Sequence, residues 1–326
     1  MNGVVFTEYG VLPYALLPRS PLIVGTTRLE KRLGAIVSVK VKTDTNSFVV
    51  HSDLAPLQGF SEDGLQEGLD ALGRALPRWL DHELPLIDLR KGLSELWEAF
   101  VDVEPDLNAL SWCMFALCVQ THSRVRGLRP AEILGGKTQN ASVEEVGLER
   151  LADAYPGDAV APKLKFHSEA DLSRILEIAG NRSIRLDSNG IFSAADVVRI
   201  AKTLPLEKIV YWEEPTRDSD AITALRALGI RVAKDESLLS ADWEEQICDA
   251  YVVKPTVLGW KKTDAVLRKA KANNMELAIS TAYESSIGRA FLRELALSLG
   301  PNTTLGLGPK DLFSNDINID EIADAI

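Results

Sequence analysis

Cysteine is nearly absent from this chain. Cys113, Cys118 and Cys248 are the only three in 326 residues, and none forms a C-x-x-C pair. That excludes a disulfide-framed scaffold and a redox dithiol, and leaves three reduced core thiols in a reducing compartment as the ordinary reading. Histidine is scarce as well. His51, His82, His122 and His167 show no ligand spacing, which argues against zinc. No long apolar run occurs, and the opening MNGVVFTEYG lacks the basic-then-apolar layout of a signal peptide. The expectation is a soluble, cytoplasmic protein without a membrane partner. Basic charge is in deficit: 36 Lys and Arg stand against 47 Asp and Glu, a net charge of −11. This argues against nucleic acid as a partner. A small anionic carboxylate substrate stays compatible, because the local field in a cleft can oppose the net charge. Nothing implies a protein partner.

What is present suits a large core: 46% of residues are hydrophobic and 25% charged. The first hundred residues read as an antiparallel sheet with helices. Residues 3–17 and 35–53 read as strands, the latter a hairpin turned at Asp44, Thr45 and Asn46. The stretch 18–34, rich in turn formers, reads as a loop. Ser61 is the expected N-cap of a helix carrying Leu65, Leu69, Leu72 and Leu76 on one face, and a further helix is expected from Asp88 to Phe100. After an apolar helix, LNALSWCMFALCVQ, strand-like runs alternate with helical ones. The strand candidates are AEILGG, AVAPKLKF, SIRLDSNG, KIVYWEEP, IRVAKDES, AYVVKPTV, ELAISTAYE and TTLGLGP. Ser142, Ser168, Ser193 and Ser240 are candidate helix N-caps between them. Eight strands with intervening helices predict a closed α/β barrel. No G-x-G-x-x-G follows the first strand, which removes the best support for a dinucleotide fold. The expected division is an α+β domain over 1–104, joined by the tail 309–326, and a barrel over 105–308.

Five charged residues close successive strand-like runs: Lys165, Asp187, Glu213, Asp235 and Lys254. Their spacing, about 19–26 residues, is that of one strand-loop-helix unit, and barrel enzymes gather catalytic groups at strand ends. Each acid alone is as well explained as a helix-start or loop acid. Three in register on consecutive strands are not, because they would repel strongly unless a cation sat among them. Oxygen-only ligands suit magnesium, with manganese second. Glu214 and Glu236 are adjacent acids, and strand alternation sends only one of each pair toward the ion. Lys165 and Lys254 would stand on opposite sides of the cluster, with Lys163 sharing the face of Lys165 at i,i+2. A metal holding a carboxylate, with a lysine on either face, is a device for removing the neighbouring proton and stabilising an enediolate. A protein that only binds a carboxylate needs no opposed bases.

In order, K-x-K, L-D-x-N, E-E-P, D-E-S and V-K-P resemble the enolase superfamily in its muconate-lactonizing subgroup, across about residues 160–256. DLAPLQGFS and TAYESSIG (281–288) also resemble that subgroup, although Ser52-Asp53 replaces a glycine-glutamate. The resemblance implies a modified TIM barrel, (β/α)7β-like, with an N-terminal α+β capping domain. It is strongest to the branch that eliminates water from a succinyl-hydroxycyclohexadiene carboxylate to give an aromatic acid, a step of menaquinone biosynthesis. It implies a Mg2+ site at Asp187, Glu213 and Asp235, and Lys165 as the base, with Lys254 on the opposite face. Lys163 and Asn189 would be supporting polar groups. Ser280, Ser285, Ser286 and Gly288 would contact the substrate, and Arg28 and Arg32 of the loop 18–34 its succinyl carboxylate. TTLGLGPKD lacks the D-x-D pair of related dipeptide epimerases and the glutamate of a cycloisomerase. N-succinylamino-acid racemisation uses the same pair of bases and is the alternative.

Overall fold

The computed structural model describes residues 3–80, 83–85, 107–136, 144–145, 148–149, 161–300, 303–308, 312–317 and 322. Strands β1 (Gly3–Leu16), β4 (Arg32–Lys42), β5 (Ser47–Leu54) and β6 (Glu83–Pro85) form an antiparallel sheet in the order β5-β4-β1-β6. The expected hairpin is β4–β5, paired from Ala35↔Leu54 to Lys42↔Ser47. Its turn closes where Thr43 N–H donates to Asn46 O at 2.8 Å and Thr43 Oγ1 accepts from Asn46 N at 3.0 Å.

Two local expectations fail here. The stretch 18–34 is not all loop: β2 (Leu22–Val24) and β3 (Thr27–Leu29) form a small hairpin, with Gly25 at φ +57° supplying the turn. Ser61 does not cap the next helix, which runs Leu65–Trp79 from Gly64. Its hydroxyl instead accepts from Leu57 N–H at 2.8 Å and closes the preceding turn. The stripe itself is as expected, with Leu72 and Leu76 buried and Leu65 and Leu69 packed at its margin. The helix expected over 88–100 and Ser142 lie outside the described residues.

The second sheet is parallel and curled. Strands β9 (Lys163–Lys165), β10 (Ile184–Asp187), β11 (Ile209–Glu213), β12 (Val232–Lys234), β13 (Ala250–Val253), β14 (Glu276–Ser280) and β15 (Thr303–Gly306) follow one another in sequence order. Pieces of one stretch meet both outer strands: β7 (Glu144–Glu145) pairs with β15, and β8 (Leu148–Glu149) with β9. These strands replace the helix expected after Ser142. AEILGG is not a barrel strand either. Pro130 opens a short helix, Pro130–Ile133, and the Glu132 carboxylate accepts from Arg129 N–H at 2.8 Å, so helix-start chemistry overrides the apolar run.

Ser193 caps its helix as expected, accepting from Asp196 N–H at 3.2 Å. Ser168 does not: Asp171 takes the N–H groups of His167 and Ser168, and the helix begins later, at Asp171. Nor does Ser240, which ends the 3-10 turn Glu236–Leu239 and donates to Ser237 O, while residues 241–245 form turns rather than a helix.

Helix Asn108–Arg126 ties the two sheets together. It is buried almost all round, and its side chains join Val37 and Val39 of β4 to Tyr251, Val253 and Ile279 of the barrel in one core. The described tail residues run beside β1: Ser314 N–H donates to Leu17 O at 2.8 Å and Arg19 N–H to Leu312 O at 2.9 Å. Among the described residues no helix is long and apolar enough to cross a membrane.

Candidate active site

Parallel pairing puts the charged residues in a row. Lys165, Asp187 and Glu213 are lateral partners on β9, β10 and β11, so their side chains leave the same face of the sheet. Glu213 in turn pairs with Ala233, and Ala233 with Ala250. Asp235 lies two residues past the first and Lys254 four past the second, so the alternation carries both to that face. Ala233, Ala250, Val252 and Ala278 make the small-residue wall beneath them.

The side chains interleave. Lys165 Nζ donates to Asp187 Oδ2 at 2.7 Å and to Asn189 Oδ1 at 2.6 Å. Lys163 Nζ stands 2.9 Å from Asp187 Oδ2 and donates to Glu213 Oε1 and Oε2 at 2.8 and 3.0 Å. Lys254 Nζ donates to Asp235 Oδ2 and lies 5.0 Å from the centre of the Phe60 ring. Asp187, Glu213 and Asp235 are all buried. Lys165 and Lys254 thus flank a row of acids from opposite sides, with Lys163 inside it.

Burial and neighbouring charges compete at each group. Burial pushes the Glu213 carboxyl well up, and Asp187 and Asp235 add to that. Burial also opposes ionisation of Asp187, but Lys163 and Lys165 outweigh it and hold that carboxyl well below its ordinary value. Desolvation works against the Lys163 and Lys254 ammoniums; the carboxylates beside them prevail and hold both above the usual lysine range.

Among the described residues no three acidic, histidine or cysteine side chains stand together as a ready set of metal ligands. The expectation of three carboxylates open toward one point is therefore not met as drawn: carboxylate oxygens are turned onto lysine ammoniums. The donor set still fits a hard divalent cation. It is three buried, oxygen-only groups on consecutive strands, one of them pushed up by burial and by its own anionic neighbours.

The adjacent acids divide unequally. Glu214 adopts φ +40° and turns away from the row; its carboxylate accepts from Asp235 N–H at 2.8 Å, Ser237 N–H at 2.9 Å and Ser237 Oγ at 2.7 Å. Glu236 breaks the alternation argument, because the chain enters a 3-10 turn right after Asp235. It stays on the site side and accepts from Asn189 Nδ2 at 2.7 Å.

Several expected substrate contacts are engaged elsewhere. Ser285 is fully buried, and its N–H and Oγ both donate to Asp53 Oδ2, at 2.9 and 2.7 Å. Gly288 is small because a Cβ there would stand 2.6 Å from Glu284 Cβ and 2.8 Å from Asp53 Oδ2. Ser286 N–H donates to Asp316 Oδ1 at 2.9 Å and its hydroxyl to Ile317 O, tethering the tail. Arg32 is fully buried and donates to the carbonyls of Ala282, Leu33, Pro56 and Ala55. Arg28 is exposed and pairs with Glu30 at 2.7 Å. The helix-start motif and Arg32 thus join chain segments instead of opening onto the lysine row, and Arg28 pairs within its own hairpin. Ser280 ends β14 on the inner face, opposite Gly306, and remains available. Asn189 is brought into the cluster, as a partner of Lys165. Sequence reasoning missed Phe60, whose only signal was the GFS of the capping stretch. It also missed Glu236, hidden by an alternation rule that stops where the strand stops. A cavity of about 220 Å³ lies beside the ends of β14 and β15, lined by Thr281, Tyr283, Leu307, Phe313 and their neighbours, and does not include the lysine row.

The family described as "Enolase C-terminal domain-like" matches residues 152–318. The o-succinylbenzoate synthase of Yersinia enterocolitica is 27% identical over 314 residues, covering 92% of this chain and 89% of its own. That of Escherichia coli K12 is 28% identical over 278 residues, covering 80% and 79%. Among solved structures, a dipeptide epimerase of Enterococcus faecalis complexed with Mg and L-Leu-L-Tyr superposes with a TM-score of 0.75 at 17% identity, over 97% of this chain and 93% of that one. A dipeptide epimerase of Methylococcus capsulatus complexed with Mg and L-Arg-D-Lys gives 0.73 at 20%, with the same coverage.

Proposed function

We propose, from the premise that this chain belongs to the enolase superfamily, that it is an o-succinylbenzoate synthase. The reaction is the Mg2+-dependent syn-elimination of water from 2-succinyl-6-hydroxy-2,4-cyclohexadiene-1-carboxylate, in menaquinone biosynthesis. The observation that carries the reading is the row itself: buried acids on three consecutive strands, with Lys165 bound at one end and Lys254 at the other. The similarity to synthases of that name along most of the chain supports the choice of substrate.

In this reading Asp187, Glu213 and Asp235 would hold the cation. The cation, Mg2+ or Mn2+, would offset the charge of the substrate carboxylate and of the dianion formed when the α-proton leaves. The neutral Lys165 amine takes that proton. The resulting ammonium then returns a proton to the departing hydroxyl on the same face, so the C–O bond breaks, water leaves and the ring becomes aromatic. Asn189 keeps Lys165 in place. Lys254, held by Asp235 beneath the Phe60 ring, supplies fixed positive charge on the opposite face.

A second reading, racemisation or epimerisation, is favoured by the fold-level likeness to dipeptide epimerases. It needs Lys254 to exchange a proton with substrate. An ultraviolet assay for aromatic product, run with magnesium, tests the first reading, and Lys165→Ala should lower turnover at least about 1,000-fold. Solvent deuterium entering an N-succinylamino acid from both faces, without aromatic product from the diene, would replace the first reading with the second.

A further inference from the structure

The proposed chemistry leaves Glu236, at the barrel mouth, without a task, and its surroundings give it one. Three side chains from three strand ends form a chain of hydrogen bonds. Lys165 donates to Asn189 Oδ1 at 2.6 Å, and Asn189 Nδ2 donates to Glu236 Oε1 at 2.7 Å. The direction of this chain is not arbitrary. An ammonium has only donors and an ionised carboxylate only acceptors, so the amide between them can satisfy both in one orientation alone. Asn189 sits at φ +49°, a left-handed conformation an L-residue seldom takes without compensation, and its own N–H is 3.3 Å from Asp187 Oδ1. The tip of the side chain is then the remaining degree of freedom; Glu236 holds its NH2 end, while His167 Nε2 lies 3.4 Å from its Oδ1.

We infer that Glu236 is a positioning residue: by fixing the Asn189 amide it keeps the Lys165 amine on its side of the substrate. Without that carboxylate the amide NH2 loses the partner that fixes its orientation, and the Asn189 Oδ1 that holds Lys165 Nζ on its side of the substrate is no longer kept in place. Stability alone does not account for the arrangement. Among the described residues Glu236 Oε2 is buried without a hydrogen-bond partner, a state that costs free energy. Glu214, at the end of the preceding strand, shows how a buried acid here is fully satisfied, by three donors. A half-satisfied carboxylate aimed at the amide that holds the base is better explained by the base than by the fold.

The inference rests on the proposed role of Lys165, so its test has one arm that needs no turnover. The variants are Glu236→Ala, Asn189→Ala, the double variant, and Glu236→Gln, which keeps an acceptor for the amide. In the first arm, dehydration by Glu236→Ala falls about tenfold in kcat with KM within about twofold, Glu236→Gln stays within about threefold of the parent, and Glu236→Ala costs nothing further once Asn189 is alanine. In the second arm, the full chain without substrate is acetylated with acetic anhydride at one fixed pH, and modification at Lys165 is followed by peptide mass spectrometry. Glu236→Ala raises the Lys165 rate several-fold, to the level of Asn189→Ala, and the double variant matches it. Independent, multiplying effects in either arm, or Lys165 labelling unchanged by Glu236→Ala, would overturn the inference. If Glu236→Ala does not fold, Glu236→Asp, which withdraws the acceptor by one methylene, takes its place with the same expectations. A parent protein that forms no aromatic product sinks the proposed function while leaving the labelling arm to decide this one.

Discussion

Asp53 offers a test of how the antiparallel sheet is joined to the barrel. Its carboxylate ends β5, accepts from Tyr14 OH at 2.9 Å, and takes both donors of Ser285 at the start of helix Ser286–Leu299. Burial pushes this carboxyl up to about 6 from an ordinary 3.8, while the hydrogen bonds from Ser285 and Tyr14 pull the other way and nearby Glu284 adds repulsion. Between those two values the folded chain keeps a proton that the unfolded chain has released. Stability must therefore fall as pH rises through that window, and recover fully only below the unfolded value. The gap from 3.8 to about 6, at 1.36 kcal/mol per pH unit, is worth about 3 kcal/mol. Asp53→Asn is nearly isosteric, keeps an acceptor for Ser285, and cannot ionise; the Tyr14 hydroxyl can accept from the new NH2. Urea unfolding of both proteins at pH 4, 5, 6 and 7 gives the quantity needed. Asp187 responds in the opposite sense, losing stability as pH falls, but does so alike in both proteins and cancels in the difference. Because pH 4 already lies just above the unfolded value, the parent should lose about 2.4 kcal/mol of that relative to Asp53→Asn between pH 4 and pH 7. Parallel curves, or a parent that gains on the variant as pH rises, would refute the reasoning.

Arg32→Met should destabilise by roughly 3 kcal/mol in the same assay, because four backbone carbonyls lose a buried donor at once. Ser193→Ala should cost about 1 kcal/mol as the loss of a working N-cap, whereas Ser168→Ala should stay within about 0.5 kcal/mol, since Asp171 already serves its turn. Magnesium should raise the thermal midpoint of the parent in proportion to the logarithm of its concentration and leave Asp187→Ala unmoved; a chelator should abolish both the shift and the aromatic-product signal. Gly288→Ala should lower stability by about 2 kcal/mol, read by calorimetry, because its Cβ meets Glu284 and Asp53 inside contact distance.

The row of charges was legible because two periodicities had to agree. One charged residue per strand-loop-helix unit places the residue at a strand end, and alternation within the strand then chooses its face. Both are properties of regular backbone, and they hold for Lys165, Asp187, Glu213, Asp235 and Lys254. Where the backbone stops being regular, the same reasoning fails. Asn189, Glu214 and Tyr283 sit at positive φ just past the ends of β10, β11 and β14, and Asp235 leads straight into a 3-10 turn. At those points the direction of a side chain is set by what it can bond, which sequence spacing does not carry. Thus Glu214 turns to the N–H groups of the next loop, while Glu236 stays beside Asn189. Sequence resemblance failed differently. It marked Ser285 and Gly288 as substrate contacts, yet they are taken up by Asp53, a residue some 230 positions earlier in the chain. A motif says that residues occur together; it does not say whether they face a ligand or another part of the same chain. The distinction appears only when each donor is matched with its acceptor. By that criterion the acids and lysines at the strand ends bond to one another as a single cluster, and Ser285 and Arg32 are the fastening that ties the antiparallel sheet to the barrel.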